Sequence, residues 1–305
     1  VGTAAEAPAV FHTAGGAVPL ASRLPVVATL LDLAPWELPQ TYAASPAARF
    51  GHRLRRRVLH DAARVIVCSR ATADSARRHL HLPADQLAVV PLAVSEGFRG
   101  AGMDEARRAD VRARLALPER YLVFAGRYDA RKDLRSLFAA LREGPADASR
   151  PLVVLAGLYD EGSGEGDLRR AAERSGAAER LLVAPALAEP ERAALIAVAA
   201  GFLYPALSEA TGQRVLEALA LGVPVICSRA GALPEIVGGA GIIVEPRDPR
   251  RLASAIEALT AGGSLAQQLQ RAARRHAESD HRTWRDVARE TRAVYAAAAQ
   301  TGAPI

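Results

Sequence analysis

Glu209 and Glu217 are the residues from which a chemistry can first be read. Glu217 falls in a run that is apolar nearly all round: Val215, Leu216, Ala218, Leu219, Ala220 and Leu221. That pattern predicts a buried helix starting at Gln213 and stopped by Gly222 and Pro224. A carboxylate in such a helix is costly unless it is hydrogen-bonded or paired. Glu209 stands in the loop before the helix, where the helix N-terminus would face it. Gly212 lets the backbone come close to a ligand. The free N–H groups after it, near Arg214, Val215 and Leu216, form a natural anion site. Donors followed one turn later by an acid suit a nucleotide sugar, with the donors on the diphosphate and Glu217 on a ribose hydroxyl pair. The same residues also fit an ordinary buried helix whose glutamate bonds to nearby backbone.

A second set of chemically able residues lies at Gly126-Arg127-Tyr128-Asp129-Ala130-Arg131-Lys132. Arg127 directly follows a predicted strand over residues 121–125, and Lys132 is expected to begin the next helix. Lys132 is the only lysine in the chain, every other basic residue apart from histidine being arginine. A compact ammonium and a forked guanidinium do different work at a phosphate. Two cations at the sheet edge that also carries the Gly212 loop make three anion-seeking features in one place; taken singly, they read as surface charges. Arg214 either adds a third cation there or points to solvent. No Asp-x-Asp pair stands at a strand end, so no metal–diphosphate site is expected.

The elements that must position these groups alternate between strand and helix, the signature of parallel α/β sheets. Residues 1–99 read as a partial Rossmann-like domain, with an apolar run at 9–12, strands at 25–31, 64–68 and 87–91, and helices at 46–62 and 70–80. No Gly-rich turn follows a first strand, so the opening part of that domain is expected to be missing. Gly97 to Gly102 reads as a linker. Residues 100–280 read as a complete doubly wound domain with six strands, at 121–125, 152–156, 181–184, 202–204, 223–227 and 241–244. Ligands of such a domain bind at the carboxyl ends of its strands. Gly157 marks a close backbone approach, and residues 160–167 read as a solvated loop. Residues 281–305 form a last helix with a packing stripe of Trp284, Val287, Thr291, Val294 and Tyr295.

The chain has 305 residues, is 50% hydrophobic and 24% charged, and carries a net charge of +6. Its arginines are spread along every helix with few aromatics between them, which argues against a nucleic-acid partner. An anionic substrate or a membrane surface accounts for the charge as well. Cys68 and Cys227 are the only cysteines, which excludes a disulfide framework and a zinc cluster and fits a reducing, cytoplasmic setting. Arg53, Arg55, Arg56 and Arg57 cluster on one helix. They read as a solvated face or, alternatively, as a peripheral contact with anionic lipid or a lipid-linked acceptor on the cytoplasmic face.

From residue 25 to residue 295 the chain resembles the retaining glycosyltransferases of family 4, the glycosyl transferases group 1. GRYDARKD (126–133) is similar to that family's Gly-Arg-…-Lys motif. SEATGQRVLEALALGVPVICS (208–228) is similar to its Glu-x7-Glu motif, with Glu209 and Glu217 as the two acids. GALPEIVGGAGIIVEP (231–246), RVIVCSRATADSARRHL (64–80) and LAVVPLAVSEGF (87–98) match neighbouring segments. The resemblance implies a GT-B fold of two Rossmann-like domains facing a cleft, the first incomplete here, with the last helix returning to the first domain. It implies a hexose transferred with retention from a UDP- or GDP-sugar to a glycan or lipid-linked acceptor, with no cofactor and no metal. Arg127 and Lys132 would stabilise the departing diphosphate, Glu217 would take the ribose hydroxyls, and Glu209 with the backbone of residues 210–212 would hold the sugar. This chain departs from the pattern at three places. It has Leu31-Asp32 for the usual His-Asp, Ala210-Thr211 for Gly-Phe, and Gln213-Arg214 for Leu-Pro. The departures leave open an alternative, a non-catalytic nucleotide-sugar-binding or scaffold protein on the same fold.

Overall fold

The computed structural model describes residues 10–14, 19, 21–143, 152–159 and 165–300. The chain divides into two compact units. One comprises residues 1–93, 208–211 and 283–305, and the other residues 94–207 and 212–282.

The first unit is built on β1 (Phe11–Ala14), β2 (Val26–Thr29), β3 (Arg64–Val67) and β4 (Leu87–Val89), all parallel and in that spatial order. Between the strands run α1 (Ala34–Glu37), α2 (Pro39–Tyr42), α3 (Pro46–Asp61) and α4 (Arg70–Leu80). Helix starts follow the sequence chemistry. Ser45 accepts from the Ala48 amide ahead of α3, and Ser69 accepts from the Thr72 amide ahead of α4. One core joins Ala28, Val65 and Val67 to Leu30, Leu33, Leu59, Ala76 and Leu80. A second joins Val27, Ile66 and Val90 to Val294 and Ala298, so the helix Trp284–Gln300 packs on β2 and β3. Strands covered on both faces explain the unbroken apolar runs in the sequence.

The second unit opens with α5 (Glu96–Met103) and α6 (Glu105–Arg114). Then follow β5 (Tyr121–Tyr128), α7 (Leu134–Arg142), β6 (Leu152–Tyr159), α8 (Glu165–Ser175), β7 (Leu181–Val183) and α9 (Glu189–Ala197). The rest is β8 (Gly201–Tyr204), α10 (Gln213–Ala220), β9 (Val225–Ser228), α11 (Leu233–Val237), β10 (Gly241–Val244), α12 (Pro249–Thr260) and α13 (Ser264–Ser279). The six strands are parallel in the order β10-β9-β8-β5-β6-β7. The chain winds outward from β5 through β6 to β7, then returns beside β5 as β8 and winds the other way. The order therefore reverses between β5 and β8.

Four local expectations are corrected. The Gly97–Gly102 stretch is helix α5, not a linker. Ser95 accepts from the Phe98 amide at 3.1 Å, and Phe98 is buried in the core of the second unit; burial of that ring outweighs the low helix propensity of glycine. Strand β5 runs on to Tyr128, because its last residues pair with β6 (Gly126 with Gly157, Arg127 with Leu158). Gly157 lies inside β6 rather than at its end, and a Cβ there would lie 2.1 Å from the Gly126 carbonyl oxygen, so the close approach itself is real. Of the expected loop at 160–167, residues 165–167 form the first turn of α8, and residues 160–164 lie outside the described residues.

Candidate nucleotide-sugar site

The switch point between β5 and β8 is where a doubly wound sheet opens a crevice at its carboxyl edge, and the predicted cations stand beside it in the second unit. Arg127 is the penultimate residue of β5 and its side chain is exposed, between the buried Gly126 and Tyr128. It therefore belongs to the strand rather than following it. Lys132 does not begin α7. It closes a short 3-10 turn, Ala130–Lys132, and α7 starts two residues later behind Asp133.

Lys132 is only 3% exposed. Its ammonium donates to the Tyr204 hydroxyl at 2.5 Å and lies 4.4 Å from the centroid of the same ring. Tyr204 ends β8 and stacks on Phe124 and Phe202, so the cation rests on an aromatic shelf spanning both strands of the switch point. The adjacent Arg131 is engaged differently, its Nε 3.0 Å from Asp129 Oδ2. The two neighbouring bases therefore have separate tasks, and Lys132 is the one turned inward. The Leu207 amide donates to the Arg131 carbonyl at 2.6 Å, tying the loop after β8 to the turn after β5. Ser228 at the end of β9 donates to the Ala206 carbonyl of the same loop.

Gly212 caps α10 with φ +61°, in the left-handed region. A Cβ there would lie 2.2 Å from Ile236 Cδ1. Backbone angle and available space both demand glycine. The amides of Val215 and Leu216 each donate to the Gly212 carbonyl at 2.9 Å. Of the three amides expected to face an anion, only that of Arg214 is not closed onto Gly212, so the donor end of the helix lies earlier than the sequence suggested.

Glu217 is 5% exposed and is paired rather than merely bonded to backbone. Arg214 Nη1 lies 2.8 Å from its Oε1 and 2.7 Å from its Oε2, and Arg192 Nη2 stands 4.0 Å from Oε2. Arg214 therefore points neither to solvent nor away from its own helix. Arg192 comes from α9 and lies 5.7 Å over the Phe98 ring. Burial pulls its guanidinium below the usual arginine range, the like charge of Arg214 adds to this, and Glu217 and Glu189 oppose it.

Glu209 belongs to the segment 208–211, which forms part of the first unit. It is buried, and its Oε1 accepts from the Thr211 hydroxyl at 3.0 Å and the Thr211 amide at 3.3 Å. Neighbouring hydroxyls hold the segment. Ser208 donates to Glu37 Oε2 at 2.5 Å, Ser75 donates to Glu37 Oε1, and Thr72 donates to the Ala210 carbonyl at 2.7 Å. Burial pushes the Cys68 thiol up to about 11, with the Glu209 charge adding to the effect, so Cys68 is no nucleophile near neutrality. Gly212 follows Glu209 so closely in sequence that the covalent chain keeps their Cα atoms within about 11 Å.

Leu31, at the expected histidine position, presents an exposed apolar side chain, while Asp32 accepts from the Ala34 amide at the start of α1. The four-arginine cluster does not form one face. Arg53, Arg56 and Arg57 are exposed, whereas Arg55 turns inward with its guanidinium 5.5 Å from the Trp36 ring centroid. No helix among the described residues is long and apolar enough to cross a membrane.

Sequence reasoning missed Tyr204, Arg192 and Glu37. Tyr204 becomes a partner of Lys132 only once β8 is known to lie beside β5. Arg192 and Glu37 meet their partners across 25 and 171 residues of chain, and nothing local marks them.

A sheet wound about a cation-lined switch point defines the class of protein, and comparison with known families supplies the rest. The model of the glycosyl transferases group 1 matches residues 107–276, and that of Glycosyltransferase Family 4 matches residues 4–97. The chain belongs to the glycosyl transferases group 1 family, and its fold is of the GT-B type. D-inositol 3-phosphate glycosyltransferase of Streptomyces coelicolor is 34% identical over 259 residues, which are 78% of this chain and 56% of that protein. The chain spans about half the length of such relatives. Among solved structures, sucrose-phosphate synthase from Thermosynechococcus elongatus has a TM-score of 0.72 at 25% identity, over 90% of this chain and 67% of that one. Anabaena Alr3699/HepE in complex with UDP-glucose has a TM-score of 0.73 at 19% identity, over 90% of this chain and 73% of that one.

Proposed function

We propose that this chain carries the donor site of a retaining hexosyltransferase that uses a UDP- or GDP-sugar. The observation that carries the reading is the buried Lys132 ammonium on Tyr204, at the β5–β8 switch point. A compact ammonium held at this edge offers a departing nucleoside diphosphate a point charge. Arg127, near the end of β5, supplies a second cation. The start of α10, behind Gly212, supplies backbone donors and the positive end of a helix dipole. In the transfer, the bond from the sugar C1 to the diphosphate oxygen breaks and a bond from the acceptor hydroxyl oxygen to C1 forms. The acceptor proton leaves with the diphosphate or to water, and the sugar keeps its anomeric configuration. Fixed cations that meet charge as it develops on the leaving group contribute most of the rate in catalysis of this kind. They do this without a metal ion. Glu217 takes the ribose hydroxyls and Glu209 the sugar hydroxyls, as the family resemblance implies.

Proton NMR of the reaction with UDP- and GDP-hexoses, with and without EDTA, tests the proposal. The first product should keep the donor's anomeric configuration, and the rate with EDTA should stay within about twofold. An inverted product or loss of rate on chelation contradicts the mechanism. Nucleotide binding without any product, with glycan or lipid-linked acceptors or with water, favours the non-catalytic alternative, for which the exposed Leu31 is the supporting observation.

A further inference from the structure

We propose that α3 docks the first unit on an anionic lipid surface, with Phe50 and Leu54 entering the headgroup region while Arg49, Arg53, Arg56 and Arg57 meet lipid phosphates. The inference goes beyond the donor site and does not rest on it.

Helix α3 is anchored by the residues it buries, Val58 and Leu59. Nearer its start it turns apolar side chains outward. Phe50 is 62% exposed and Leu54 37% exposed. They stand four residues apart in sequence, which makes them neighbours on the helix surface. Arg53 lies three residues after Phe50 and Arg57 three after Leu54, so arginines border the apolar pair. Arg49 and Arg56 widen the border. All four are exposed, and none forms an ion pair among the described residues. The helix holds five arginines and one acid, Asp61 at its last residue, so no acid of α3 stands between the arginines.

A notch of about 260 Å³ adjoins this face, walled by Pro35, Trp36 and Pro39 and rimmed by Arg49, Arg53 and Arg56. The Trp36 ring lies between the Arg55 guanidinium at 5.5 Å and the His52 ring at 5.8 Å. Aromatic side chains with a polar edge favour the level of lipid headgroups, and the notch gives a headgroup room beside three cations.

The combination selects the occupant. A second copy of the chain in a two-fold contact would set arginine against arginine. A nucleic acid would meet the arginines but offer Phe50 and Leu54 no acyl boundary to enter. An anionic bilayer offers both phosphates and that boundary. Among the described residues no helix is long and apolar enough to span it, so the contact is peripheral.

The full chain would be floated with vesicles of phosphatidylcholine, with and without phosphatidylglycerol, at low and high salt. The anionic vesicles should bind it at least about tenfold more strongly at low salt, and salt should reduce the difference. The double variant Arg53→Gln/Arg57→Gln should bind them about 25-fold more weakly, roughly fivefold for each arginine. Phe50→Ser should weaken binding about tenfold even at high salt, because the apolar contribution is not screened. All three side chains are exposed, so melting temperatures should match the parent's. Equal binding to neutral and anionic vesicles, or to neither, overturns the proposal. So does anionic binding that survives either variant undiminished. Release from anionic vesicles by a short single-stranded oligonucleotide at equimolar phosphate would assign the face to nucleic acid and overturn it as well.

Discussion

Lys132→Ala should lower sugar transfer by about 10²–10³-fold, the effect of removing one preorganised donor from a developing oxyanion, while the protein stays folded. The ammonium is buried on Tyr204, so its removal takes away at least that hydrogen bond and that ring contact. That loss is about 1–2 kcal/mol, or a melting shift of roughly 2–8 °C. Initial rates with saturating donor, read beside a melting curve, separate the two effects. Lys132→Arg should not restore the rate, because the planar guanidinium neither fits the buried place of the ammonium nor presents a point charge from it. Full activity in Lys132→Arg would show that any cation at this edge suffices. Full activity in Lys132→Ala would show that the ammonium serves the fold alone.

Gly212→Ala should be strongly destabilising and should abolish donor binding. Two penalties add. An L-residue at φ +61° costs about 1–2 kcal/mol. A methyl group 2.2 Å from Ile236 Cδ1 forces overpacking worth about 1–3 kcal/mol more. The parts can be separated, because Ile236→Val removes the clashing Cδ1 and leaves the next neighbours, Ile236 Cγ1 at 3.6 Å and Leu233 Cδ2 at 3.8 Å, in ordinary contact. Denaturant unfolding of the double variant should therefore show a smaller cost for Gly212→Ala than the parent background does, with the left-handed penalty remaining. Equal costs in both backgrounds would mean that the side chain of Ile236 swings aside and that only the backbone angle demands glycine.

The parts of this arrangement that were legible in the sequence are those in which one residue type answers one local demand. Helix α10 begins at Gln213 as read, because Gly212 before it and the Gly222 to Pro224 stretch after it are local stop signals and the apolar stripe between them is continuous. Strands β3, β8 and β10 stood out for the same reason, being short apolar runs between breakers. The extension of β5 to Tyr128 was not legible. Gly126 and Arg127 look like the end of an apolar run, and only pairing with β6 shows that the strand continues. Glycines mislead in the opposite sense at α5, where Ser95 as cap and Phe98 as buried anchor outweigh them.

The candidate site divides in the same way. Lys132 stood out because a chain that otherwise uses arginine kept an ammonium there, yet its seat on Tyr204 depends on β8 lying beside β5. The need of Glu217 for a partner followed from its buried helix, and Arg214 lies at helical spacing from it. That pairing was still missed, because a cation near an expected diphosphate invites the simpler reading. Arg192 comes from a different helix, and its approach to Glu217 is fixed by packing on Phe98 rather than by spacing.

The central claim is that the carboxyl edge at the β5–β8 switch point holds a nucleoside diphosphate through Lys132 and Arg127. Isothermal titration of the parent chain and of Arg127→Ala and Lys132→Ala with UDP, GDP and the corresponding free nucleosides tests it most directly. One diphosphate should bind the parent, each substitution should weaken it at least about tenfold, and the nucleoside alone should be insensitive to both. Diphosphate binding undiminished in both variants would contradict the claim.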